Sequence, residues 1–169
     1  MNSGMYQLNL RKESFKFSSA HMTVFPDGSP YGPKESLHGH NFQVEVNLDL
    51  NDASLERFVS FSYFKKLIEK ICREWHSKVL LARQCPKMQT LQENSNEIEI
   101  LLCGKRYVFP AEDVLFLDVE NITSELLSYA FFKTFHSRLD PNLLSQSICG
   151  ISVRIEEVPG QGATFFWKP

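Results

Sequence analysis

No run of apolar residues in this chain of 169 approaches the roughly twenty that a membrane-spanning helix needs. Met1 to Ser14 carries neither a basic-then-apolar leader pattern nor an Arg-rich amphipathic one. Cys72, Cys85, Cys103 and Cys149 are scattered and form no Cys-x-x-Cys pair, which speaks against a disulfide framework in a chain of this length. Neither sign of charge dominates, with 18 Lys and Arg against 20 Asp and Glu. The formal net charge is -2 and no long basic run exists, so the phosphate-neutralising surface of a nucleic-acid binder is missing. A few placed lysines or arginines would still serve a small anionic substrate. Repeats and low-complexity linkers are absent too. With 43% hydrophobic and 22% charged residues, the composition is that of an ordinary globular protein with a sizeable core. The expectation is one domain, 1–169, soluble, cytoplasmic and reduced, with no nucleic-acid and no membrane partner.

Periodicity supplies the elements. Residues 5–21 read as a strand or a bulged pair of strands. Tyr6, Leu8 and Leu10 alternate, Arg11 to Ser14 interrupt, and Phe15, Phe17, Ser19 and His21 then share one parity. Pro26 to Pro33 is dense in turn formers and reads as a loop. From His38 to Leu50 the alternation is strict, with His38, His40, Phe42, Val44, Val46 and Leu48 on one face. Residues 62–76 switch to helical spacing, with Ser60 or Ser62 as N-cap. Residues 82–96 look irregular. Glu97 to Phe109 reads as a hairpin turning at Gly104-Lys105, followed by a short strand near Val114 to Leu117. A second helix is expected from about Ile122 to His136 with Asn121 as its cap. Two further strands follow, joined by a turn at Pro159 to Gly162. This order predicts an α+β layer, helices on one face of an antiparallel sheet.

The chemistry concentrates in the histidines. His38 and His40 stand at i and i+2 on a strand, side by side on its apolar face, with Gly39 between them. His21 ends the preceding strand with the same inward parity. If those strands are neighbours, three imidazoles converge and leave a fourth position open, the pattern of a catalytic zinc site. A His-x-His pair on a strand also arises by chance, and spacing alone does not separate the two readings. His76 and His136 each end a helix, where capping is the simpler role.

Three further residues carry weaker signals. Glu157 continues the inward parity of Val153 and Ile155, where a carboxylate needs a partner. It could hold a guanidine-like edge through two N–H bonds, or sit solvated at a strand end. Glu35, three residues before His38, is either a general base near a bound cation or a solvated loop residue. Lys34 beside it is a candidate phosphate contact.

Phe15-x-Phe17-Ser18-Ser19-Ala20-His21, a loop, and His38-Gly39-His40-Asn41 together resemble the 6-pyruvoyltetrahydropterin synthase family. Weaker matches keep the family's order: His76-x-Lys78-x-Leu80, Thr123-x-Glu125 and Val153-x-Ile155-x-Glu157. The resemblance covers nearly the whole chain except residues 82–117, which look like an inserted loop and hairpin. It implies a tunnelling fold: a four-stranded antiparallel sheet with two helices on one face, joined into trimeric barrels and hexamers with sites at protomer interfaces. It implies Zn2+ on His21, His38 and His40, and 7,8-dihydroneopterin triphosphate as substrate. Glu157 becomes the pterin anchor, Thr123 a substrate-binding residue and His76 a proton-transfer group.

Two departures from the family stand out. Pro26 to Leu37 contains no cysteine, where the familiar enzymes carry a catalytic one. Glu35-Ser36-Leu37-His38-Gly39-His40 instead resembles the family's Glu-x-x-His-Gly-His variant. That variant is associated with cleavage to 6-hydroxymethyl-7,8-dihydropterin, a folate precursor. Other products in the family are 6-pyruvoyltetrahydropterin, on the tetrahydrobiopterin route, and a carboxy compound used for deazapurine synthesis. Trp75 replaces the aspartate that precedes the family's histidine, so His76 lacks that orienting partner. Two rivals remain. Gly32, His38, His40 and Glu45 resemble a cupin metal motif, although Glu45 falls on the wrong face of a regular strand. A non-catalytic pterin- or metal-binding oligomer would require Glu35 and His76 both to be idle.

Overall fold

The computed structural model describes residues 5–51 and 60–169, and of residues 145 and 146 the backbone only. The chain opens with two long strands, β1 (Tyr6–His21) and β2 (His38–Leu50), paired antiparallel from Tyr6↔Leu50 to His21↔His38. Their register slips between Arg11 and Lys16, where the charged interruption in the apolar pattern bulges out. Gln43 satisfies the freed backbone there, donating through Nε2 to the carbonyls of Lys12 at 2.8 Å and Phe15 at 2.9 Å. Helix α1 (Phe61–Trp75) follows, capped by the Ser60 side chain accepting from the Ser62 N–H. Then come β3 (Lys78–Ala82), β4 (Met88–Glu93), β5 (Glu97–Leu102), β6 (Lys105–Pro110) and, after a 3-10 turn at Ala111–Asp113, β7 (Val114–Leu117). The chain closes with α2 (Ser124–Ser137), the short α3 (Pro141–Gln146), β8 (Ile148–Val158) and β9 (Gln161–Trp167).

The main sheet has six strands in the order β7-β3-β1-β2-β8-β9, not the four expected. β1, β2, β8 and β9 are antiparallel, as predicted. β3 and β7 extend that sheet in parallel, β3 beside β1 and β7 beside β3. Val79-Leu80-Leu81-Ala82 is a short unbroken apolar run without alternation, the form a buried strand takes in a parallel setting. A second sheet, β4-β5-β6, occupies most of the segment between them. β4 escapes the sequence pattern because all but its first residue are exposed. The β5–β6 turn is Cys103-Gly104, one residue earlier than expected. Both residues have positive φ, 49° and 76°, as a tight two-residue hairpin turn requires.

The core lies between one face of the main sheet and the two longer helices. Phe15, Phe17, Phe42, Val44, Val46, Leu48, Val153 and Ile155 supply the sheet side. Phe64, Ile68, Ile71 and Trp75 of α1 and Leu127, Phe131 and Phe135 of α2 supply the other. Trp75 packs edge-on to Phe17 and Phe131 at 5.3 and 5.4 Å, so this departure from the family pattern is a core residue. Helix α2 starts two residues later than predicted. Its cap is Thr123, whose side chain accepts from the Leu126 N–H. Asn121 is not the cap. It accepts the Val24 N–H and donates to the Val24 carbonyl, at 2.9 and 2.8 Å, tying the loop after β1 to the start of α2.

Candidate metal centre

The antiparallel register seats His21 directly opposite His38, and His40 follows two residues on. The three rings lie 4.6 to 5.3 Å apart between centroids. One nitrogen from each falls within 4.8 Å of the others, close enough for one ion to span. Phe42 floors the cluster, 5.7 Å from the His21 ring and 5.6 Å from that of His40, and keeps its inner side apolar. A Cβ at Gly39, between the two histidines of β2, would sit 3.2 Å from the Ser19 carbonyl, a tight contact that glycine avoids.

Two of the rings are oriented from behind. His21 Nδ1 lies 3.1 Å from the Ile122 carbonyl and His38 Nδ1 2.9 Å from that of Ser36. Each carbonyl accepts an Nδ1–H, which leaves Nε2 as the lone-pair nitrogen, the tautomer a metal ligand uses. His21 is buried and its Nε2 has no hydrogen-bond partner. Such an atom costs free energy unless something ligates it, so the residues fit a cation with three imidazole donors. Burial lowers the His21 pKa, and His38 and His40 lower it further. The Ile122 carbonyl and the Glu157 carboxylate only partly oppose this, so His21 is held neutral.

Glu35 comes to the same place. Its Oε2 lies 4.0 Å from His38 Nε2 and accepts the Thr23 N–H at 3.2 Å, while its own N–H donates to the Thr23 carbonyl at 2.9 Å. Partial burial alone would raise its pKa. Hydrogen bonds from Thr23, with His38 and His21 nearby, outweigh that and leave it below the ordinary carboxylate value. Glu35 is therefore an ionised carboxylate beside the cluster. Glu157 sits at a bulge, left without a partner on β9 where Glu156↔Gly162 gives way to Val158↔Gln161. It is half-buried, and its charge partly opposes the lowering of the His21 pKa.

The other candidates have partners of their own. The His76 ring, at the C-cap of α1, accepts the Ser18 N–H on Nδ1 at 3.1 Å. Ser18 is three residues up β1 from His21, roughly 10 Å at strand spacing. The orienting partner that Trp75 cannot provide is thus a backbone amide. Ser18 and Ser77, the neighbours of that ring, line a surface groove of about 520 Å³ that also reaches Gly39, His40 and Asn41 on β2. Lys34 is turned inward on its own loop, donating to the Glu35 carbonyl at 2.8 Å and lying over the Tyr107 ring. Thr123 spends its hydroxyl oxygen on the helix cap. His136 stands in the last turn of α2, against Phe132 and Trp167, while Arg138 is the C-cap. Glu45 faces away from the histidines toward Arg11 at 3.7 Å, which removes the cupin-like motif. Thr23 and the Ile122 carbonyl went unnoticed in the sequence. They meet the cluster across up to 101 residues of chain and carry no local signal.

A sequence comparison with curated proteins gives no match. Among solved structures, the 6-pyruvoyltetrahydropterin synthase of Plasmodium vivax superimposes with a TM-score of 0.86 at 23% identity, covering 98% of this chain and 99% of that one. The Plasmodium falciparum synthase gives the same values. The Caenorhabditis elegans enzyme gives 0.56 at 16% identity, covering 100% of this chain and 99% of that one. At these identities the likeness establishes a shared fold. The family model for 6-pyruvoyl tetrahydropterin synthase matches residues 9–167, every segment of the site included. The chain belongs to the 6-pyruvoyl tetrahydropterin synthase family.

Proposed function

We propose that this chain is a zinc-dependent lyase acting on the side chain of 7,8-dihydroneopterin triphosphate. Its main product on this reading is 6-hydroxymethyl-7,8-dihydropterin, with 6-pyruvoyltetrahydropterin as a second outcome. The observation that carries the reading is the buried, unpartnered His21 Nε2 in a three-imidazole cluster, with an ionised Glu35 4.0 Å from His38 Nε2. Zinc held by His21, His38 and His40 supplies Lewis acidity, making a side-chain hydroxyl of the substrate easier to deprotonate. Glu35 is the general base that takes that proton, held ready by the Thr23 N–H. Glu157 accepts two N–H bonds from the amino-pyrimidinone edge of the pterin and fixes which side-chain carbon faces the base.

A thiolate base and a carboxylate base differ in reach and basicity. Glu35 in place of the cysteine shifts the outcome from triphosphate elimination toward carbon–carbon cleavage. One support comes from the P. vivax synthase, solved with a catalytic glutamate replaced by alanine. His76, held on the Ser18 N–H, serves as a proton-transfer group at a site shared between neighbouring protomers of a homo-oligomer, a trimer or hexamer. Lys34 and Thr123 are at most secondary contacts to the substrate, because both already have internal partners.

The test is product analysis with 7,8-dihydroneopterin triphosphate and zinc, for the parent and Glu35→Ala. The parent releases 6-hydroxymethyl-7,8-dihydropterin, and Glu35→Ala loses about 10²–10⁴-fold in turnover, the usual worth of a general base. A parent yielding only 6-pyruvoyltetrahydropterin, or a Glu35→Ala variant as fast as the parent, overturns the assignment. A metal-loaded parent with no turnover points instead to a pterin-binding oligomer.

A further inference from the structure

The loop that carries Glu35 folds back on itself as a short ladder. Thr23 and Glu35 exchange backbone and side-chain hydrogen bonds, Val24 bridges Lys34, and the Phe25 N–H donates to the Pro33 carbonyl at 2.9 Å. The outer end of this ladder leans on the β4-β5-β6 sheet. Lys87 Nζ donates to the Phe25 carbonyl at 2.9 Å and to Asp27 Oδ1 at 2.6 Å. Cys103 Sγ lies 3.7 Å from the Pro33 carbonyl, and Lys34 Nζ lies 5.2 Å from the Tyr107 ring centroid.

These contacts are unequal. The Asp27 side chain is 98% exposed, and an ion pair there contributes little. The Phe25 carbonyl belongs to a half-buried residue, and a charge-assisted bond to it is roughly twice as strong as a neutral one. Lys87 is itself held firmly where β4 begins. Its carbonyl accepts the Cys103 N–H at 2.9 Å, and the turn before it is closed by the Met88 N–H donating to the Cys85 carbonyl at 3.1 Å. A fixed ammonium thus grips the ladder two residues from Thr23, whose N–H sets the Glu35 carboxylate.

We infer that Lys87 is a positioning residue for Glu35, and that the three-stranded sheet acts as the brace through which it works. The inference rests on the reading of Glu35 as general base. Three proteins test it: Lys87→Met, Lys87→Arg, and Lys87→Met combined with Glu35→Ala. In Lys87→Met, kcat falls about tenfold while KM and zinc stoichiometry stay at parent values, and Lys87→Arg recovers at least half of the loss. In the Glu35→Ala background, removing Lys87 changes the residual turnover no further, because the group it positions is gone. Independently of turnover, Lys87→Met speeds amide hydrogen exchange at Thr23, Phe25 and Glu35 at least tenfold, with β2 amides such as Val44 and Val46 unchanged as the control for folding. Unchanged exchange at Thr23, or an equal loss of kcat with and without Glu35, overturns the inference. An inactive parent overturns the proposed reaction instead, and the exchange measurement then decides alone whether Lys87 braces the loop.

Discussion

At the scale of single residues, the question is what His21 does with a nitrogen it cannot hydrate. Its Nδ1 faces the Ile122 carbonyl, its Nε2 is sealed from solvent, and burial disfavours the charged form that would carry a second proton. A cation removes that frustration and stabilises only the folded chain, because the three imidazoles meet only there. At a hundredfold excess of zinc over Kd the gain is about 2.7 kcal/mol, or roughly 5–10 °C in Tm for a chain of this size. Differential scanning calorimetry with and without zinc measures it. His40→Ala removes one half-exposed donor and should abolish the gain without unfolding the chain; a gain that survives the substitution would place the metal elsewhere. The donors themselves were legible in the sequence, because strand parity alone puts His21, His38 and His40 on one apolar face. Glu35 was legible only as a candidate. Its tether to Thr23, the bulge at Glu157 and the backbone amide that receives His76 depend on register and long-range packing, which no local pattern encodes.

At the scale of elements, the sequence read best where alternation was strict. β1, β2, α1 and β8 stood out because one face of each is buried and the other is polar. The six-stranded sheet was missed because β3 is apolar from Val79 on and has no alternation, and β4 of the second sheet was missed because it is exposed nearly throughout. The bulge in β8 has its own sequence cause in Gly162, placed opposite Glu156. A Cβ at Gly162 would come within 2.2 Å of the Ile155 carbonyl and 2.7 Å of the Glu156 Cα, and backbone atoms cannot swing aside as a side-chain end can. Gly162→Ala should therefore force β9 off β8 next to Glu157. Overpacking of this kind costs about 1–3 kcal/mol, measurable by urea denaturation. On the proposed reading it also raises KM for the pterin more than it lowers kcat, because the displaced group is the anchor and not the base. Unchanged stability and KM would mean that the two strands separate there without consequence.

At the scale of the whole molecule, the main sheet ends in β7 on one side and β9 on the other, each without a further strand among the described residues, and Phe166 on β9 is 74% exposed. An open edge such as that of β9 invites pairing with another strand, and a symmetric oligomer is the ordinary way to close it. The same arithmetic applies to the site. Within one protomer, His76 is held on the Ser18 N–H, three residues along β1 from His21, while Glu35 stands 4.0 Å from His38. On the proposed reading both serve one reaction, each drawn from a different protomer. Glu35→Ala and His76→Ala, each inactive alone, should then complement one another when mixed under conditions that let subunits exchange. A site that draws Glu35 from one chain and His76 from its neighbour finds both intact in about one quarter of random pairings, so about a quarter of parent activity returns. If His76 instead acts inside its own protomer, no mixed assembly contains an intact site and activity stays at the level of the separate variants. Native mass spectrometry of the same mixture confirms that exchange occurred, so that a silent mixture counts against shared sites and not against mixing.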